Sequence, residues 1–300
     1  MLKFKQFISE GGNIQIGKVG GDGPKAAPFD SSNRERLQPD IINALHAVHK
    51  HVEGIVPDAH IFGKDGSSLK SQGAFDTGST KMFFDKSIPH KEYAEGIKKT
   101  GDIDALIDGK HQPEVQKALT DTKPGTKFGN MTYLGVKHHG GNESSILMKH
   151  PDHPEPLQID LTHSPYENNE PTQEAKDSRR GGSFEDRKAG IKGMHLNQLT
   201  HSVAKNVHGM KYSTKGLKAG DAEPSSTGIQ NSKAVSKKLF GVEHKDIDSF
   251  SGVTRLIKQH VPAEHHQAIF DTFKNSLGKD AETSGKPALD HLRSNLKVVG

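Results

Sequence analysis

Cysteine is absent from the 300 residues, which removes disulfides, thiolate catalysis and cysteine-based zinc sites together. Tryptophan is absent as well, only 31% of the residues are apolar, and the mean hydropathy is −0.72. A modest core and long connections are therefore expected, and 32 Gly with 15 Pro agree with that. No apolar run approaches the length needed to cross a bilayer, and the N-terminus lacks the hydrophobic region of a secretory signal, so a soluble protein with no membrane partner is expected. Charge of one sign is scarcely in excess: 41 basic against 37 acidic residues give +4. The field of the whole molecule would not by itself hold a nucleic acid, although a local basic patch remains open.

What is present is a pattern of carboxylates on alternating strands. In Gly101-Asp102-Ile103-Asp104-Ala105-Leu106-Ile107, successive side chains of a strand point to opposite faces, so Asp102 and Asp104 emerge together while Ile103, Ala105 and Ile107 turn to a core. Two like charges on one face call for protonation or a cation between them, and hard oxygen ligands suit Mg²⁺. In Leu157-Gln158-Ile159-Asp160-Leu161, the same alternation puts Gln158, Asp160 and Thr162 on one face. Three carboxylates are thus placed to converge. Upstream, Gly78-Ser79 precedes an ordered Thr80-Lys81-Met82-Phe83-Phe84; Gly66-Ser67 is a rival pair in a more polar turn.

Along the chain, Met1 to Glu10 reads as a short amphipathic unit and residues 11–30 as a glycine-rich flexible tether, with order beginning near Ser31. Ile41, Ile42, Leu45, Val48 and Val52 predict a helix over Pro39 to Val52, with Pro39 suited to its first turn. A helix is expected within Ile88 to Lys99 and another across Pro113 to Leu119. Strands are expected over Met131 to Lys137, Ser144 to Lys149 and Pro156 to Thr162, an antiparallel meander carrying Asp160. Residues 166–185 read as a polar linker, and 186–300 as a helical domain closing one side of a cleft, with stripes such as Leu196, Leu199, Val203 and Phe270, Phe273, Leu277. His46, His49 and His51 read as a solvated helix face. His138, His139, His150, His153, His265 and His266 read as turn or helix-end residues, with contact between the site and His138 or His139, in the loop between two expected strands, as the alternative. Arg179, Arg180, Arg187, Lys188 and Lys192 read as a solvated basic run, with a phosphate-binding strip as the sharper alternative.

A Gly-Ser pair, then Asp-x-Asp on a strand, then a third Asp on a later strand resembles the polymerase-β-like nucleotidyltransferase superfamily, over roughly residues 73–162. The resemblance implies an α+β domain over 31–165, with a small mixed sheet and flanking helices, followed by the C-terminal helical domain. It implies that Asp102, Asp104 and Asp160 are catalytic carboxylates holding Mg²⁺ or Mn²⁺, with Asp160 as third ligand or base. Gly78, Ser79 and Lys81 would then meet the phosphates of a nucleoside triphosphate such as ATP, with Lys86 adding charge. The implied reaction moves a nucleoside monophosphate to an acceptor, whether RNA, protein or small molecule, and releases pyrophosphate. One departure stands out: 22 residues lie between Ser79 and Asp102 where the family usually has fewer, as if Phe84 to Lys99 carried an extra helix. The first ten residues, ending in Ile8-Ser9-Glu10, are similar to the capsid-targeting leader that a prohead protease removes from internal head proteins of large contractile-tailed bacteriophages. That resemblance implies a location in host cytoplasm or virion interior. Its competing class is a non-catalytic virion or DNA-associated protein that keeps the fold as a scaffold. A His/Asp metallohydrolase is a third, weaker expectation.

Overall fold

The computed structural model describes Gln15 and residues 23–139, 141–223 and 226–299. The leader read over residues 1–10 lies outside the described residues, as does most of the tether. The end of that tether belongs to the fold: Ala26 and Phe29 are buried, and the Ala27 N–H donates to the Pro156 carbonyl. The chain divides between Thr172 and Gln173 into two compact units. The division falls inside the stretch read as a linker, which itself carries ordered elements.

The first unit is mixed α/β, built on a curled five-stranded mixed sheet. It opens with β1 (Phe29–Asp30) and α1 (Arg34–Ile55), whose Leu37, Ile41, Leu45, Val48 and Val52 are fully buried. Pro39 lies inside α1 rather than in its first turn. The helix begins five residues earlier because Arg34 is anchored there: its buried guanidinium donates to the carbonyls of Phe83 and Ile88, each at 2.7 Å, and stacks over the Tyr93 ring. His49 also departs from expectation. It is buried on α1 against Phe62, and burial lowers its pKa, so only part of that histidine face is solvated.

Short helices α2 (Ser67–Lys70), α3 (Thr80–Phe84) and α4 (His90–Gly96) lead to β2 (Lys99–Thr100), which pairs with β1. The interval between Ser79 and Asp102 therefore holds α4, and aromatic packing secures its surroundings. Phe75 stacks on Phe84 at 3.9 Å between centroids, while Phe83 meets Phe29 and Tyr93 edge to face. Next come β3 (Asp102–Asp108), α5 (Gln112–Asp121), β4 (Lys127–Phe128), β5 (Met131–His138), β6 (Glu143–Lys149) and β7 (Leu157–Ser164). The sheet order is β3-β7-β6-β5-β4; the meander is antiparallel, and β3 joins it parallel to β7. A hairpin of β8 (Tyr166–Glu167) and β9 (Glu170–Pro171) closes the unit. Its turn residues Asn168 and Asn169 both have positive φ, as a two-residue hairpin of this hand requires.

The second unit contains α6 (Gln173–Asp177), α7 (Phe184–Lys188), α8 (Gly193–His208), a hairpin of β10 (Lys211–Ser213) and β11 (Gly216–Lys218), then α9 (Ser232–Phe240), α10 (Phe250–His260), α11 (His266–Leu277) and α12 (Lys286–Asn295). The hairpin interrupts what the sequence presents as helical throughout. Leu196, Leu199 and Val203 of α8 share a core with Phe250, Val253 and Ile257 of α10 and Phe270 and Phe273 of α11. Asp186 is a buried joint: it completes a capping box with Ser183 on α7 and accepts from the Phe250 and Ser251 N–H groups that open α10. Arg180, read as part of a solvated basic run, is buried. It donates to Thr200 and to the Ile247 carbonyl and lies 4.8 Å over the Tyr212 ring.

His195 makes the second unit sensitive to acid. Its Nδ1 accepts the Lys192 N–H at 3.1 Å, which only a neutral ring can do, and burial pulls its pKa down to about 4. The unfolded ring titrates near 6.5, so the stability this site contributes is complete above that value and is lost as pH falls toward 4. Asparagine places Oδ1 where Nδ1 stood. Between pH 7.5 and pH 5.0, urea denaturation of the parent should lose about 2 kcal/mol more than His195→Asn does. Equal losses would show that this ring does not drive acid sensitivity.

Candidate functional site

The carboxylates meet because of strand register. In the parallel ladder Asp104 stands beside Asp160 and Asp102 beside Gln158, and in the antiparallel ladder Ser145 stands opposite Asp160. Ile103, Ala105 and Ile107 are buried on the other face, as alternation requires, which leaves Asp102 and Asp104 partly exposed on the site face.

Asp160 is the buried member. Its Oδ1 accepts from Ser145 Oγ at 2.5 Å, and Gln158 Nε2 lies 2.9 and 3.0 Å from its two oxygens. Burial first, then the neighbouring Asp104 charge, push its pKa up to about 7, against the opposing pull of the Ser145 and Gln158 hydrogen bonds. His139 Nε2 lies 2.7 Å from Ser145 Oγ. Since Ser145 gives its proton to Asp160, the imidazole donates to Ser145, so a chain of two hydrogen bonds runs from the exposed His139 to the buried carboxyl. Ser145 and the clamping role of Gln158 were not recognisable as site features from sequence. Alternation put Gln158 on the right face, but Ser145 enters only through the β6–β7 register.

The Gly-Ser turn closes on the same carboxylates. Gly78 has φ +52, and a Cβ placed on it would lie 2.5 Å from Asp104 Oδ2. One residue after Ser79, Thr80 Oγ1 accepts the Asp104 N–H at 2.7 Å, so the turn is fixed to the strand at the Asp-x-Asp pair. Ser79 precedes α3, and its side chain makes no capping bond. Lys81 is exposed and paired with Asp76 at 2.7 Å. The rival Gly66-Ser67 is occupied elsewhere: Gly66 packs against the His46 ring, and Ser67 donates to the Asn169 carbonyl in the β8–β9 turn.

Among the described residues no three His, Asp or Glu side chains gather as a ready metal cage. That donor set still fits Mg²⁺, which is commonly held by one or two carboxylates and completes its octahedral shell with water and substrate phosphate oxygens. Asp102 and Asp104, side by side on one face of β3, would be that pair, and the Asp160 oxygens accept from Ser145 and Gln158. The chain matches no protein-family model and no curated protein. No helix among the described residues is long and apolar enough to cross a membrane.

Proposed function

We propose that the first unit is a divalent-cation-dependent nucleotidyltransferase of the polymerase-β-like kind, moving a nucleoside monophosphate from a nucleoside triphosphate to an acceptor hydroxyl. The observation that carries this reading is the meeting of Asp104 with Asp160 in the parallel register while Gly78 closes on Asp104. Asp102 and Asp104 would hold Mg²⁺ or Mn²⁺, which when bound neutralises triphosphate charge. Gly78 lies against Asp104, and with Ser79 it would meet the phosphates of the nucleotide. Asp160 is the base: near neutral pH its carboxylate takes the acceptor hydroxyl proton as that oxygen bonds to the α-phosphorus and the bond to pyrophosphate breaks. What favours this role is the raised pKa, to about 7, that burial and Asp104 give the Asp160 carboxyl. Lys81 meets a phosphate only by leaving Asp76.

The deciding assay incubates the purified protein with each labelled nucleoside triphosphate, Mg²⁺ or Mn²⁺, and an extract of RNA and protein, beside the Asp102→Ala/Asp104→Ala variant. Transfer by the parent alone, lost by orders of magnitude in the variant, is the expected result, and the labelled product reveals the acceptor. If neither transfer nor cation-dependent nucleotide binding occurs, the carboxylates belong to a scaffold that lacks the chemistry.

A further inference from the structure

The near-neutral charge of the chain hides a partition. Residues 1–172 carry 20 basic and 23 acidic residues, while 173–300 carry 21 and 14. Within the second unit six of the seven excess charges fall in one stretch. Residues 191–242 hold eight lysines against two acids, Asp221 and Glu223, whereas 243–300 balance eight against eight. That stretch is α8, the β10–β11 hairpin and α9, and the fold ties them together. The Tyr212 N–H donates to His201 Nδ1 of α8, His208 at the end of α8 meets the Leu239 carbonyl of α9, and Leu217 pairs through its backbone with Ile229 ahead of α9.

Hairpin register then sorts the side chains. Tyr212 pairs with Leu217 and both are buried, so Lys211 and Lys218, paired with each other one step along, lie on the opposite face. Lys205 on α8, Lys215 at the hairpin turn and Lys233 on α9 are exposed like Lys211, and none of these four forms an ion pair with a described residue. Lys218 turns its ammonium to the carbonyls of Glu223 and Ser226, which leaves Lys211 as the exposed charge of that pair. Eight lysines against only Asp221 and Glu223 leave a net charge of six along this stretch, which fits a polyanion of regular charge spacing. A membrane surface would call for apolar side chains beside the lysines, and among the described residues of this stretch Ile229 is the one large apolar side chain exposed.

We propose that this lysine surface of α8, the β10–β11 hairpin and α9 binds the phosphate backbone of a nucleic acid. Binding stands independently of the carboxylate chemistry; where that chemistry also holds, it makes nucleic acid the acceptor class. The contacts are to phosphate, so sequence preference is weak and affinity falls steeply with salt.

The test uses the full chain, titrated against a labelled 20-nucleotide RNA and a DNA duplex of the same length at several salt concentrations. Lys205→Ala/Lys211→Ala/Lys215→Ala/Lys233→Ala should bind at least about tenfold more weakly, and its logarithmic salt slope should shrink by about three. Two comparison variants should bind as the parent does: Lys258→Ala/Lys274→Ala/Lys279→Ala/Lys297→Ala, which removes equal charge from the balanced stretch, and Asp102→Ala/Asp104→Ala. The latter separates this proposal from the catalytic one, since it abolishes transfer and leaves binding intact. Unchanged binding by the first variant overturns the proposal. So does equal affinity for polyglutamate or for phosphatidylserine vesicles, or the absence of salt-dependent binding by the parent.

Discussion

Asp160→Asn should abolish nucleotide transfer and at the same time make the protein more stable at pH 8. Both effects come from the same buried carboxyl, whose pKa is pushed up to about 7 by burial and by Asp104. Between the ordinary value of 3.8 and that raised value, the folded state holds a proton that the unfolded state has released. Stability from this group is therefore complete below the ordinary value and declines as pH rises through 7. Asparagine keeps the shape and carries no charge, so the variant escapes the decline. Urea denaturation should show no advantage at pH 4 and one on the order of 3 kcal/mol at pH 8. Transfer by the parent should rise with pH through the same interval, because the base works only when ionised. An Asn variant no more stable than the parent at pH 8 would show that Asp160 is not held in a charge-averse site.

The sequence made the strands legible because alternation is a local property. Ile103, Ala105 and Ile107 against Asp102 and Asp104 need no tertiary information, and β3, β5, β6 and β7 lie within a residue or two of their expected bounds. Pairing is not local. Nothing in Ser144-Ser145-Ile146 marks Ser145 as the donor to Asp160, since two adjacent serines are equivalent until β6 is set against β7. The early start of α1 was hidden for a related reason: Pro39 is a familiar first-turn residue, but Arg34 gains carbonyl partners that lie 49 and 54 residues away. His49, beside an apolar stripe, and Arg180, in a basic run, read as solvated because burial of either depends on a covering element that is not encoded nearby. The charge partition between the units shows the same principle in reverse. It is fully present in the sequence, yet the hairpin register is what places Lys211 and Lys218 together.

Gly78→Ala is the sharper probe of the catalytic arrangement, because it removes no carboxylate. At φ +52 an added Cβ is strained in its own backbone, and it would sit 2.5 Å from Asp104 Oδ2, well inside contact distance. Either the turn or the carboxylate must yield. The turn is tied to β3 through Thr80 and the Asp104 N–H, and β3 is held in its ladder to β7, so relief comes through rotation of the Asp104 side chain away from Asp102. A displacement on the order of 1 Å at a group that positions the phosphates costs roughly a hundredfold in rate. The expected result is a turnover about two orders of magnitude below the parent, with weaker apparent affinity for the divalent cation and a fold that remains cooperative in thermal melts. Ser79→Ala supplies the contrast: its hydroxyl makes no capping bond, so any loss there reflects contact with the nucleotide and should appear in KM rather than in cation affinity. If Gly78→Ala turned over like the parent, the closing of the Gly-Ser turn on Asp104 would be packing alone, and the mechanism would have to rest on the strand carboxylates without it.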